Sequence, residues 1–107
     1  MPKNVPINFV CREMKDTKVC EVAPPEAHME GGDKVTLKGN NVDVDIHFLH
    51  ESPLKSGKNI HLTKGVPYPD EVRDDVEKGA YEYTYTCTEP ACPTPSKKRS
   101  NPKMIVP

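Results

Sequence analysis

Gly79-Ala80-Tyr81-Glu82-Tyr83-Thr84-Tyr85-Thr86-Cys87 alternates without a break. Tyr81, Tyr83, Tyr85 and Cys87 fall on one face, and Glu82, Thr84 and Thr86 fall on the other. Aromatic and polar residues at period two predict a β-strand with one face buried. Thr88-Glu89-Pro90-Ala91 leads from it to Cys92, and a short apolar run follows later at Lys103-Met104-Ile105-Val106. A tyrosine strand, a cysteine loop and a closing strand therefore make up the last third of the chain.

The same period extends outward from this segment. Val42-Asp43-Val44-Asp45-Ile46-His47-Phe48 alternates apolar and polar, as do Val5, Ile7, Phe9 and Cys11 with their neighbours. Strands are expected over 5–12, 18–23, 34–39, 42–50, 58–64, 79–87 and 103–106. Turn residues separate them: Pro24-Pro25, Gly31-Gly32, Gly39-Asn40-Asn41, Ser56-Gly57, Lys64-Gly65, Pro90 and Pro93. About seven short antiparallel strands at this spacing predict an all-β, two-sheet sandwich of the Greek-key kind, in one domain over 1–107. Pro69 to Lys78 admits two readings. One is a short helix resting on Val72 and Val76, with acidic residues early and Gly79 after it. The other is an irregular acidic loop or edge strand. The segment 93–103 is expected to be an exposed basic loop.

Composition bounds the function. Of 107 residues 35% are hydrophobic and none is Trp, so the core is thin and cross-links would strengthen it. A net charge of -1 gives no global field toward nucleic acid or an anionic membrane. No apolar run is long enough to span a bilayer, and no apolar segment after Met1 suggests a signal peptide. Twelve prolines favour edge strands and ordered loops over helices.

Four cysteines in a short, Pro-rich chain point to two disulfides and an oxidising compartment, periplasmic or extracellular. A turn at Lys15-Asp16 would set Cys11 opposite Cys20, with Cβ atoms about 4.5–5.5 Å apart. Local pairing, Cys11–Cys20 and Cys87–Cys92, is the simplest of the three connectivities. Neither spacing is the C-x-x-C of zinc modules.

These residues together resemble the end and the middle of a cupredoxin. Gly32-Asp33-Lys34-Val35-Thr36-Leu37-Lys38-Gly39-Asn40 is similar to the family's G-D-x-V-T-F-x-N strand entry, and Gly79 to Tyr83 to its G-x-Y-x-Y strand. The resemblance covers roughly residues 18 to 107. It implies a Greek-key sandwich of seven or eight strands and, for most members, one-electron transfer through a type 1 copper. Such copper needs two imidazoles and one thiolate in a plane, often with a weak axial Met. The position that the resemblance gives to the first imidazole holds Asp45, with His47 two residues on. The thiolate position holds Tyr85, with Cys87 two residues on. No His follows His61, so the loop after Cys87 lacks the second imidazole. The chain is more similar to copper-free relatives, whose last segment reads much like Asn101-Pro102-Lys103-Met104-Ile105-Val106.

Three functions are therefore carried forward. The first is a non-enzymatic, copper-free binding or structural module, monomeric, with no cofactor and an unidentified protein partner. The second is an electron-transfer copper protein whose unusual site uses His47 and Cys87 with His50 or His61. The third is a thiol redox protein using Cys87 and Cys92. Other features have plainer readings. Asp43, Asp45 and His47 form a polar row that suits a solvated face, and His61 nears it if the strands pair. His28 belongs to a loop. Met104 is core filling rather than an axial ligand. Tyr81 is placed for a backbone hydrogen bond at a sandwich corner. No serine lies in a nucleophile-elbow context and no phosphate-cradling glycine loop occurs. Lys97-Lys98-Arg99 and the acidic 70–77 stretch are opposite in sign and are candidate docking surfaces.

Overall fold

Ten strands form in the structure, a computed structural model that describes residues 3–15, 17–89, 91–92 and 101–107. They are β1 (Asn4–Met14), β2 (Thr17–Ala23), β3 (Glu26–His28), β4 (Lys34–Gly39) and β5 (Asp43–Phe48), then β6 (Asn59–Leu62), β7 (Tyr68–Glu71), β8 (Gly79–Glu89), β9 (Ala91–Cys92) and β10 (Lys103–Val106). One sheet has the order β2-β1-β4-β7, and the other has β3-β10-β8-β5-β6 with β9 added against β8. The chain crosses between the sheets at β2–β3, β3–β4, β4–β5, β6–β7 and β7–β8, the interleaved path of a Greek-key sandwich. All seven expected strands are present. Three short ones add to them: β3 and β9, which were not expected, and β7, which takes the edge-strand reading of 69–78.

Alternation decides which side of each strand is buried. Val44, Ile46 and Phe48 of β5 are buried while Asp45 and His47 are exposed. Tyr83, Tyr85 and Cys87 of β8 are buried in the same core. Val5, Ile7, Phe9 and Cys11 of β1, with Val35 and Leu37 of β4, supply the facing layer. Two aromatic pairs pack in this core: Phe9–Tyr85 across the two sheets, with ring centroids 5.2 Å apart, and Phe48–Tyr83 between adjacent strands of one sheet, at 5.4 Å. Both tilts suit the ring quadrupoles. Met104 is buried among them, as expected of core filling.

Residues 69–78 form no helix. Tyr68–Glu71 instead pairs antiparallel with β4 as the sheet's outer strand, and Leu54 bridges to Val72. Two valines cannot sustain a helix without more apolar surface, and Pro69 is tolerated on an outer strand. Lys97-Lys98-Arg99 and the rest of 93–100 lie outside the described residues.

Two local devices fix the frame. Tyr81 Oη donates to the Glu77 carbonyl at 2.6 Å, the corner bond expected from its position. Tyr81→Phe is expected to cost about 1 kcal/mol of unfolding free energy in urea titration, since it removes a single hydrogen bond. Asp33 is buried before β4, and its carboxylate accepts from the backbone N–H of Glu30 at 2.9 Å and of Lys3 at 3.1 Å. Its own carbonyl accepts from Val72 N–H at 2.8 Å. The Glu30 hydrogen bond, chiefly, holds the Asp33 carboxyl below the usual carboxylate range, with the Lys3 bond and charge helping against burial.

That depression sets a sign. The folded state favours the ionised carboxylate, so the contribution is complete above the unfolded value of about 3.9 and fades as pH falls through the lower folded value. Asp33→Ala is expected to lose about 2–3 kcal/mol at neutral pH. The part of that loss carried by the lowered carboxyl should fade in the same titration as pH falls through the folded value. A loss that stays constant with pH contradicts the assignment.

Candidate functional site

The strand registers place the four cysteines before any bond is considered. Lys15 takes φ 55°, the positive value a two-residue hairpin turn demands, and β1 and β2 pair with Cys11 opposite Cys20. At the other sheet, β8 turns back on β9 with Cys87 opposite Cys92. Both opposed pairs sit on inward faces at the same end of the sandwich, and all four residues are buried.

The bonds run across the sandwich rather than along it. Cys11 is joined to Cys92 with Cα atoms 6.1 Å apart, and Cys20 is joined to Cys87 at 6.4 Å. The expected local pairs Cys11–Cys20 and Cys87–Cys92 are therefore neighbours but not partners. Each cysteine points inward, so the sulfur it meets belongs to the facing sheet. The third reading needs a Cys87–Cys92 bond, and here those residues are held in separate bonds.

Two side chains from β8 and the β4–β5 turn secure the cluster independently of sulfur. Asn41 Oδ1 accepts from Cys11 N–H at 2.9 Å, and Asn41 Nδ2 donates to the Cys11 carbonyl at 2.8 Å. The amide thus acts as a strand partner for β1. Tyr85 Oη donates to the Cys20 carbonyl at 3.2 Å. Burial raises the Tyr85 hydroxyl, with the Glu21 charge adding to it, and burial raises the Tyr83 hydroxyl further, so both stay protonated and Tyr85 keeps its donor.

Gly39 makes the turn that carries Asn41. A Cβ there would overlap the Val42 carbonyl oxygen and press on Val44 Cγ2 at 3.2 Å. Gly39→Ala is expected to open this turn and to destabilise by about 3 kcal/mol or more, the range of backbone strain combined with overpacking. Urea unfolding measures it. A loss below 1 kcal/mol means that the turn relaxes freely.

The histidines lie elsewhere. Asp45 is opposite His61 and His47 is opposite Asn59 on the outer face of β5 and β6. His61 Nδ1 donates to Asp45 Oδ1 at 2.6 Å, and His47 Nδ1 donates to Asn59 Oδ1 at 2.7 Å. Both histidines line an exposed groove of about 290 Å³ together with Thr84 and Thr86. The expected approach of His61 to the Asp45–His47 row is therefore present. His50 lies past the end of β5 and lines a separate depression of about 320 Å³ with Lys58 and Arg73. His28, expected in a loop, is instead exposed in β3, where it pairs with Ile105 of β10.

The structure does not bring His47 to Cys87. His47 is exposed on β5, while Cys87 is buried on the adjacent strand β8, opposite Val44. The two side chains occupy opposite faces of one sheet. Among the described residues, no group of three or more His, Cys, Asp or Glu side chains is placed to hold a metal.

Asn41 and Asp33 were not singled out as functional by sequence. Asn and Asp side chains commonly satisfy local backbone groups at turns, and each sits in a turn that the sequence marks.

The fold is that of a cupredoxin. The chain is similar to a purple cupredoxin from Nitrosopumilus maritimus, with TM-score 0.55 and 17% identity over 96% of this chain and 99% of that one. It is similar to a reduced amicyanin mutant at TM-score 0.52 and 18% identity, over 97% of this chain and 82% of that one. An oxidised amicyanin mutant gives TM-score 0.51 and 20% identity over the same shares. At such identities the likeness carries the fold alone. No protein-family model matches the sequence, and no curated protein matches it.

Proposed function

We propose that this chain is a cupredoxin-like module without a type 1 copper centre, acting as a non-enzymatic binding or structural domain. The whole of 1–107 forms its single domain, monomeric and working in an oxidising compartment, periplasmic or extracellular. The observation that carries this reading is the bond from Cys87 to Cys20. Type 1 copper requires a free thiolate in plane with two imidazoles. Cys87 has no free thiolate in this state, and His47 and His61 stand on the far side of the sheet. The residues present do not fit that metal.

Where a metal loop joins the last strands of a copper protein, this chain carries a cross-link between its sheets. Rigidity then replaces redox chemistry, which suits a scaffold that presents a surface. The electron-transfer reading with His47, Cys87 and His50 or His61 would need both a broken disulfide and a side chain passed through the sheet.

Copper(II) titration of the oxidised protein tests the proposal. The expected outcome is the absence of the intense visible thiolate-to-copper charge-transfer band of blue or purple sites. Weak pale binding at the outer imidazole groove is compatible, and His61→Ala should abolish it. An intense band overturns the proposal, whether or not His61→Ala removes it.

A further inference from the structure

We infer that the open edge of β6 is a docking site for an extended acidic segment of a partner protein, which joins the sheet as an added strand. This rests on the binding-module reading above and names the partner's chemistry. β6 is the last strand of its sheet. Phe48 N–H donates to the Lys58 carbonyl at 2.9 Å, so Lys58 turns its main chain toward β5. Direction alternates along an antiparallel strand, so the N–H and C=O groups of Asn59 and His61 point away from β5, out of the sheet. Both residues are exposed, and among the described residues no backbone group bonds to those outward groups.

Among the described strands the other edges are closed. Cys11 gives both of its backbone groups to Asn41, so the opposed Cys20 turns its own away from β1. There Cys20 is 0% exposed, and its carbonyl is held by Tyr85 Oη. Beside β7, Lys55 N–H donates to the Glu71 carbonyl at 2.9 Å, and Leu54 bridges to Val72. β3 and β9 have three and two residues, lengths that blunt an edge by themselves.

Charge selects the occupant. Lys58 and Lys64 are exposed at the two ends of the β6 edge, at most about 20 Å apart. Neither takes part in an ion pair among the described residues. The acids of β5 beside this edge are already engaged. Asp43 Oδ1 accepts from Lys64 N–H at 2.6 Å, and Asp45 Oδ1 accepts from His61 Nδ1 at 2.6 Å. A segment with an acid opposite each lysine gains two ion pairs on top of the main-chain bonds that give strand addition its affinity. Its middle would extend the apolar row of Ile60 and Leu62, which suits β-branched residues. A second copy of the chain is disfavoured, because antiparallel self-pairing centred on His61 sets Lys58 against Lys64 of the other copy.

The test selects a phage-displayed library of random nonapeptides on the whole oxidised chain, with a chelator present. The chelator keeps copper out, so failure of the copper-free reading and failure of this inference are read separately. Enriched peptides should carry an acid near each end around a β-branched apolar middle. A synthetic copy of the best one, at about a hundred times its Kd, should slow amide exchange at Asn59 and His61 by about a hundredfold. K58E/K64E should weaken binding by about tenfold or more. His61→Pro removes an outward donor while leaving the β5 ladder intact, and should weaken binding at least as much, whereas His61→Ala should retain it. If His61→Pro fails to fold, the lysine variant and the exchange map still decide. The inference is overturned by absence of enrichment, enriched peptides without acids, or protection at another edge. Self-association of the chain through β6, or full affinity in K58E/K64E, overturns it equally.

Discussion

Replacing all four cysteines by alanine should remove about 7–8 kcal/mol of stability, while removing either bond alone should cost only about 3 kcal/mol. The difference follows from nesting. The bonds span sequence separations of 81 and 67 residues, one inside the other. The first bond to close therefore constrains a long loop, worth about 4–5 kcal/mol on the chain-entropy model. With that bond in place, the second closes only a ring running from Cys11 to Cys20 and from Cys87 to Cys92. That ring holds roughly 15 residues and is worth about 3 kcal/mol. The effects are then non-additive by more than 1 kcal/mol, as expected of groups sharing one constraint. Domains are stable by about 5–15 kcal/mol in total, so the quadruple variant should be largely unfolded in mild urea. C11A/C92A, C20A/C87A and the quadruple variant, compared by urea titration, measure this. Strictly additive losses would contradict the nested connectivity.

Phe9→Ala should be the most damaging single core substitution, at about 3–5 kcal/mol. Phe9 is fully buried on β1, between β2 and β4, and its ring meets Tyr85. Its carbonyl also accepts from Asn40 N–H at 2.8 Å, so it abuts the turn that carries Asn41. Truncation leaves a cavity between the sheets beside the cysteine cluster, where disulfides limit collapse. The melting temperature should fall by about 15 °C or more, with an unchanged denaturant slope. A loss below 1 kcal/mol would mean that the ring fills no essential space.

The sequence is most legible where one face is buried along a whole strand. β5 and β8 could be read residue by residue, because every second side chain enters the core. The β1–β2 register could also be read, since the turn fixes it, and the structure keeps Cys11 opposite Cys20. β3 and β9 are too short to show a period, and β7 carries Pro69 among acidic residues, so tertiary pairing alone makes them strands. The cysteine partners were hidden for a different reason. Register predicts neighbours within a sheet, whereas which sheet faces which, and at what height, emerges only when the layers stack. The facing of His47 was legible from alternation. Its separation from Cys87 required knowing that β5 and β8 are adjacent strands of one sheet.

The central claim is that Cys87 is spent in a bond across the sandwich. Tryptic digestion of the natively isolated protein under non-reducing conditions, with any free thiols alkylated first to prevent exchange, tests it most directly. Cleavage after Arg12, Lys18 and Lys78 separates Cys11 from Cys20 and leaves Cys87 and Cys92 on one peptide. The account predicts one assembly of three peptides held by two disulfides. Fragmentation between Cys87 and Cys92 should release Cys20 with the former and Cys11 with the latter. A Cys11–Cys20 pair of peptides beside a self-looped Cys87–Cys92 peptide, or four alkylatable thiols, would contradict it.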